Sequence, residues 1–138
     1  MTAFIVDASA IGPLIVPDER ADINPAMLEL LESDGAVAPQ HWRLEVANLM
    51  RMAVRRKRLD ARDLPELVTM LRDLDIEIDD ETGREAWGRT LALSSQYDLS
   101  VYDAAYLELA QRRRLPIATL DTALIRAALS AKVELIDE

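Results

Sequence analysis

Four acidic residues stand at or beside the strongest apolar segments of the chain, and together they could bind a metal ion. They are Asp7, Glu45, Asp103 and Asp121. A carboxylate next to a hydrophobic core is costly unless a hydrogen-bond partner, a proton or a cation compensates its charge. The recurrence of this placement along the chain therefore suggests one shared cation site.

The available ligands restrict both the ion and the reaction. The chain has no cysteine and a single histidine, His41, so a set of oxygen ligands favours Mg²⁺ or Mn²⁺ over Zn²⁺. Such ions lower the pKa of bound water and polarise phosphoryl oxygens, which favours hydrolysis of a phosphodiester bond. Two-histidine catalysis is impossible, and His41 is interpreted as a surface or hinge residue. No Ser-His-Asp signature or glycine-rich phosphate loop with a following lysine occurs.

Each acid also has a purely structural interpretation. Asp7 and Asp121 could cap the helices that follow them, and Asp103 could close a capping box with Ser100. Glu45 lies within a helical pattern, where a salt bridge to an arginine is the alternative. Four independent caps and bridges would be a coincidence, so the joint pattern favours a shared site.

Apolar periodicity and turn residues predict an α/β chain with five strands. The predicted strands are residues 4–6, 36–38, 76–78, 116–120 and 133–136. The predicted helices are residues 8–16, bent or broken near Gly12-Pro13, then 26–33, 42–58, 60–73, 81–96, 100–112 and 122–130. This alternation predicts a mostly parallel sheet covered on both faces, a three-layer α/β/α sandwich. Ligands of such sheets collect at the carboxyl ends of the strands, where Asp7 and Asp121 fall.

The length and composition predict one globular domain over residues 1–138. Half of the 138 residues are apolar and 30 % are charged, which is typical of a folded protein. No export signal and no run of 18 apolar residues is visible, so we expect no membrane span. The absence of cysteine is compatible with a reducing cytoplasm.

The charge distribution gives mixed indications about nucleic acid. A net charge of -9 argues against broad, non-specific binding to nucleic acid. Two basic clusters oppose this, one at Arg51 and residues 55–58 and one at residues 112–114. Contacts to phosphates and solvated helix ends are equally good interpretations of both clusters.

Four short motifs follow one another in a fixed order. They are Val-Asp-Ala-Ser-Ala from residue 6, Leu-Glu-Val-Ala-Asn from residue 44, Val-Tyr-Asp-Ala-Ala-Tyr from residue 101 and Thr-Leu-Asp from residue 119. Single motifs of this kind are weak, but the ordered set resembles the PIN-domain family. It is most similar to the VapC-type toxins of bacterial toxin-antitoxin pairs, over nearly the whole chain.

The resemblance implies a function and partners. It implies a parallel five-stranded sheet between helices and an endoribonuclease that needs Mg²⁺ or Mn²⁺ to cut RNA. It also implies a homodimer that a small antitoxin protein holds inactive. The family's metal-binding acids are matched by Asp7, Glu45, Asp103 and, as a more variable fourth member, Asp121. Ser9 and Thr119 match hydroxyl side chains often found near the first and last acids, although local hydrogen bonding explains them equally well.

Two other classes of protein stay open. One is a catalytically silent binding module that keeps the same fold and dimerises. The other is a phosphoacceptor receiver, which needs a second acid at the first strand and a suitably placed late lysine. Here the first strand supplies only Asp7, and Lys132 is poorly placed.

Overall fold

The computed structural model describes residues 3–136 and contains one parallel sheet. Its strands are β1 (Phe4–Val6), β2 (Ala36–Ala38), β3 (Ile76–Ile78) and β4 (Ile117–Ala118). They pair in the order β3-β2-β1-β4. All residues of β1 are fully buried, and successive strand residues point to opposite faces, so helices cover both faces of the sheet. The predicted α/β/α sandwich with a parallel sheet is confirmed.

Eight α-helices occur among residues 3–136. They are α1 (Ala8–Ile15), α2 (Pro25–Ser33), α3 (Trp42–Arg55), α4 (Leu64–Arg72), α5 (Thr82–Glu85), α6 (Leu91–Tyr97), α7 (Val101–Arg113) and α8 (Thr122–Ser130). Helix α7 packs against β1 and β4, and α1 packs against α3. The buried helix α7 therefore lies along the two strands that end at the predicted acids. None of the described helices is both long and apolar enough to cross a membrane.

The predicted fifth strand is reduced to a single bridge. Leu135 pairs in parallel with Ile117, and the Ile117 amide donates to the Glu134 carbonyl at 2.9 Å. The segment therefore lies beside β4 as expected, but the described sheet has four strands and not five. The pairing stays short because β4 itself ends at Ala118, two residues before the predicted end.

Several predicted helix boundaries also differ from the structure. Helix α1 is not broken at Gly12-Pro13 and continues to Ile15 before a 3-10 turn over Pro17–Asp22. Helix α3 ends at Arg55, three residues early, because Lys57 adopts a left-handed conformation with φ of 61°. The predicted helix 81–96 is interrupted by a π-helical turn over Ala86–Thr90.

A glycine fixes the entry into β2. The predicted Asp34-Gly35 turn is present, and Gly35 has a φ of +77°, which side chains with a Cβ rarely adopt. A Cβ atom at this position would also lie 2.5 Å from the Asp75 carboxylate. This close approach brings the loop before β3 against the start of β2.

Candidate active site

Asp7 is a buried carboxylate held by two hydroxyl groups. It directly follows β1, is 4 % exposed, and its amide donates to the Ala118 carbonyl at 3.0 Å. Its Oδ2 accepts hydrogen bonds from Ser9 Oγ and Thr119 Oγ1, each at 2.6 Å. Its side chain forms no capping hydrogen bond in α1, contrary to the structural interpretation. Burial, and then the charge of Asp121, raise the pKa of Asp7 above its usual value.

The same two hydroxyl groups connect the ends of β1 and β4. Ser9 Oγ accepts a hydrogen bond from the Leu120 amide at 2.9 Å, and Thr119 Oγ1 accepts one from the Asp121 amide at 3.0 Å. These bonds explain the short β4, because residues 119 and 120 bond to the site instead of continuing the ladder. Ser9 and Thr119 thus fix the position of the fourth acid relative to Asp7.

Asp121 combines a structural contact with proximity to the other acids. Its Oδ2 accepts from the Leu124 amide at 3.0 Å and so caps α8, as the structural interpretation predicts. Its charge nevertheless contributes to the raised pKa values of Asp7 and Asp103. The capping role and a place in the acidic group are therefore compatible.

Asp103 lies in the first turn of α7, and its pKa is shifted further than those of the other predicted acids. Its amide donates to Ser100 Oγ at 3.1 Å, which is half of the predicted capping box; the reciprocal bond from the Ser100 amide is not formed. Burial, together with the charges of Asp121, Asp7 and Glu45, raises the pKa of Asp103 to about 6. Asp103 therefore lies close enough to the other three predicted acids for their charges to disfavour its own.

Glu45, in the first turn of α3, is held by aromatic residues and not by an arginine. Tyr106 donates its phenolic hydrogen to Glu45 Oε1, and His41 Nε2 lies 3.5 Å from the same oxygen. Burial and the charge of Asp7 raise the pKa of Glu45, while the bond from Tyr106 opposes the rise. The predicted alternative, a salt bridge to an arginine, is absent among residues 3–136.

His41 is a neighbour of the acids, which its interpretation as a surface or hinge residue missed. Its Nε2 lies 3.1 Å from the Tyr102 carbonyl, and burial lowers the pKa of the imidazole despite the nearby charges of Asp103 and Asp7. The available signal was its position four residues before Glu45, since residues at this spacing share one side of a helix.

The spacing of the acids bears on how they would hold an ion. Within residues 3–136, three acidic groups with ligand atoms less than 4.8 Å apart occur at residues 79–81 and not among the four predicted acids. Three of the predicted acids could therefore share one cation only if their side chains moved closer together. The donor set itself fits Mg²⁺ or Mn²⁺, because it is made of carboxylate oxygens whose charge nothing else in the group neutralises.

Arginines neutralise part of the acidic cluster at residues 79–81. The Asp79 side chain is fully buried and accepts hydrogen bonds from Arg112 at 2.8 and 3.0 Å and from Arg113 at 3.0 Å. The bonds from Arg112 hold the pKa of Asp79 at about 2. Arg112 also pairs with Glu108 at 2.8 Å. This cluster is therefore an ion-pair network between α7 and the end of β3, and its arginines are not available to phosphates.

The basic cluster at Arg51 and residues 55–58 is partly available to phosphates. Arg58 pairs with Asp18 at 3.1 Å and with Glu19 at 2.9 Å. Arg56 has no ion pair within residues 3–136 and lines a groove of about 270 Å³ between α1 and α3. Ser9 lines the same groove. The cationic residue Arg56 therefore lines the same groove as Ser9, whose hydroxyl bonds to Asp7.

Comparisons with known proteins agree with this fold. The family profile described as PIN domain matches residues 4–129. The structure is similar to that of PAE2754 from Pyrobaculum aerophilum, with 22 % identity, a TM-score of 0.66, and coverage of 92 % of this chain and 87 % of that one. It is also similar to a toxin-antitoxin complex from Klebsiella pneumoniae, with 20 % identity, a TM-score of 0.50, and coverage of 87 % and 88 %. A search of curated proteins found no significant sequence match.

Proposed function

Since the chain belongs to the PIN-domain family, we propose that it is a Mg²⁺- or Mn²⁺-dependent endoribonuclease and the toxin of a toxin-antitoxin pair. One observation carries the proposal. Four carboxylates from β1, α3, α7 and the loop after β4 converge, and the pKa of Asp103 is raised to about 6 by burial and by the charges of the other three. Repulsion of this kind is relieved by a divalent cation.

We propose different roles for the four acids. Asp7 and Asp103 would hold the principal ion, and Glu45 and Asp121 a second ion or its waters. A bound Mg²⁺ or Mn²⁺ would supply an activated water and would neutralise charge on the phosphate. Ser9 and Thr119 keep the Asp7 carboxylate in one orientation. The expected products carry a 5′-phosphate and a 3′-hydroxyl.

An acidic chain also suits an inhibitory protein partner. The similarity to a toxin-antitoxin complex supports an antitoxin for this chain. A basic segment of that antitoxin would complement both the net charge of -9 and the acids of the site. The proposed location is the cytoplasm, where cellular RNA is available as a substrate.

We further propose that the protein is a homodimer. Trp87 is 94 % exposed and Leu91, four residues later, is 49 % exposed, so the two offer an apolar surface that a second copy of the chain could cover. Light scattering of the purified chain should give twice the monomer mass. A monomer at micromolar concentration would reject this part of the proposal.

Cleavage assays test the central part. Purified protein is incubated with RNA and Mg²⁺ or Mn²⁺, alongside Asp103→Asn and Asp7→Asn. We expect metal-dependent cleavage by the unaltered chain and its loss in both variants. Glu29→Gln, which removes one exposed charge from α2, is the matched control and should cleave normally. Full activity in Asp103→Asn would remove that residue from the mechanism.

The second candidate is a catalytically silent binding module with the same fold. The absence of a tight three-acid cluster among the four predicted acids is the observation that favours it. Titration with Mn²⁺ separates the two. A silent module would show neither binding nor thermal stabilisation at millimolar Mn²⁺, whereas the nuclease should show both.

A further inference from the structure

Exposed apolar side chains stand directly before three of the four acids in the sequence. Leu44, Tyr102 and Leu120 are 76 %, 64 % and 49 % exposed. Each of them directly precedes one of the acids at positions 45, 103 and 121. Single exposed apolar residues need no explanation, but these three are the chain neighbours of acids that come from α3, α7 and the loop after β4. The rim of the site is therefore suited to an apolar or aromatic group.

Tyr102 is the aromatic member of this rim and is held in place. Its ring lies edge-on to the His41 ring, with centroids 5.6 Å apart, and its carbonyl oxygen lies 3.1 Å from His41 Nε2. The His41 ring also lies edge-on to the Tyr106 ring, with centroids 5.4 Å apart, and the Tyr106 hydroxyl bonds to Glu45. A row of three rings thus leads from solvent to an acid of the site.

The charge of the protein indicates which group the rim would receive. With a net charge of -9 and four acids at the site, attraction to the phosphates contributes less to RNA binding than in a basic nuclease. Stacking of a base on an exposed aromatic ring contributes about 1–3 kcal/mol per base and does not depend on charge. An unpaired nucleobase is an aromatic group whose own phosphate would lie near the acids.

We propose that Tyr102 is a base-stacking residue that positions an unpaired nucleotide beside the scissile phosphate, with Leu44 and Leu120 as its apolar flanks. This proposal rests on the proposed ribonuclease function. Tyr102 is a positioning residue, because the bond is broken at the neighbouring acids. Every base offers a π-face, so Tyr102 favours unpaired strands over duplexes without selecting one base.

Three variants test the role of the ring. Tyr102→Ala removes it, Tyr102→Phe keeps it, and Leu129→Ala shortens an apolar side chain on α8 that is 65 % exposed. The kcat and KM values are measured on a single-stranded RNA oligonucleotide with Mn²⁺. Binding is followed separately in EDTA by the fluorescence of 2-aminopurine placed in the oligonucleotide, because stacking quenches it.

The expected results distinguish stacking from a general loss of structure. Tyr102→Ala should raise KM about 5- to 150-fold, which corresponds to the range for one stacked base, with a smaller change in kcat. It should also abolish the quenching. Tyr102→Phe and Leu129→Ala should behave like the unaltered protein in both assays. Because Tyr102 is 64 % exposed, its truncation should leave the thermal unfolding temperature nearly unchanged.

Other outcomes overturn the proposal. An unchanged KM and unchanged quenching in Tyr102→Ala would exclude stacking, and so would an equal loss in Tyr102→Phe. If Tyr102→Ala weakened binding of an antitoxin peptide but left RNA kinetics unaltered, the rim would be a protein-docking surface and the proposal would be wrong. Failure of the ribonuclease function itself looks different, because the unaltered protein would then cut no RNA.

Discussion

Replacement of Asp103 by asparagine should stabilise the metal-free protein. Among the four acids, Asp103 has a pKa of about 6 instead of the usual 3.8, because it is buried and lies near the charges of Asp121, Asp7 and Glu45. At pH 8 the folded protein therefore carries a charge that its surroundings disfavour. The asparagine side chain has nearly the same size and removes that charge, so the variant should unfold at a higher temperature.

The magnitude follows from the pKa shift. A change from 3.8 to about 6 corresponds to about 3 kcal/mol of unfavourable free energy when Asp103 is charged. Asp103 is partly exposed, so solvent screens some of this, and the variant also loses a favourable charge at the start of α7. We expect a net gain of about 1–2 kcal/mol, or roughly 3–8 °C in Tm for a domain of this size.

The pH dependence of stability independently checks the direction of the change expected for Asp103→Asn. Because the folded pKa is raised, the folded state binds more protons than the unfolded state between pH 3.8 and about 6. The contribution of Asp103 to stability therefore falls as the pH rises through this window, and the full penalty is present above it. The gain from Asp103→Asn should be complete at pH 8 and should vanish near pH 4.

The assay is thermal unfolding in EDTA and then with Mn²⁺. Glu29→Gln is the control for a change of one charge, and its Tm should move by less than about 2 °C, because exposed substitutions have small effects. With Mn²⁺ at 100 times its Kd, the unaltered protein should gain about 2.7 kcal/mol and Asp103→Asn much less. An Asp103→Asn variant that is less stable than the unaltered protein in EDTA at pH 8 would refute the idea that these acids repel one another.

Three further predictions concern the surroundings of the site. Thr119→Val removes one of the two hydroxyl donors to the buried Asp7 carboxylate and should lower the free energy of unfolding in urea by about 1–3 kcal/mol at pH 7; no change would mean that the bond contributes nothing. Arg56→Gln should raise KM for RNA and reduce the salt dependence of binding by about one phosphate contact, whereas an unaltered salt slope would exclude Arg56 from the substrate path. The ion pair between Asp79 and Arg112 should contribute on the order of 2 kcal/mol to stability above pH 4, and this contribution is lost as the pH falls towards about 2. Asp79→Asn should therefore reduce the loss of unfolding free energy between pH 4 and pH 2. An unchanged loss over this range would contradict the ion-pair account.

The architecture could be predicted from apolar periodicity, and the details of its edges could not. The buried triplets of β1 and β2 are apolar throughout, which is typical of central parallel strands. The end of β4 depends instead on Thr119 and Leu120 bonding to residues over 100 positions away, which no local pattern shows. The single bridge at Leu135 has the same cause. That residues 1–138 form one domain stays a prediction.

The acids of the candidate site were predictable because three of them close or follow apolar segments and Glu45 lies inside one. The residues that contact these acids were harder to predict. Asp7 and Asp121 stand where strands end, and the order of the motifs linked them to Glu45 and Asp103. Tyr106 was visible only as part of a motif, and its bond to Glu45 joins residues 61 positions apart. The arginines of α7 could be interpreted as phosphate ligands because their pairing with Asp79 depends on how β3 and α7 pack.

The location of a bound manganese ion tests the central claim most directly. Crystals soaked in MnCl₂ should give an anomalous scattering peak about 2.0–2.6 Å from carboxylate oxygens of Asp7 and Asp103, with Glu45 and Asp121 close by. Asp103→Asn crystals treated in the same way should lose that peak. A peak at Asp79 and Glu81 alone, or none near Asp7, would contradict the claim that the four acids form the metal site of this protein.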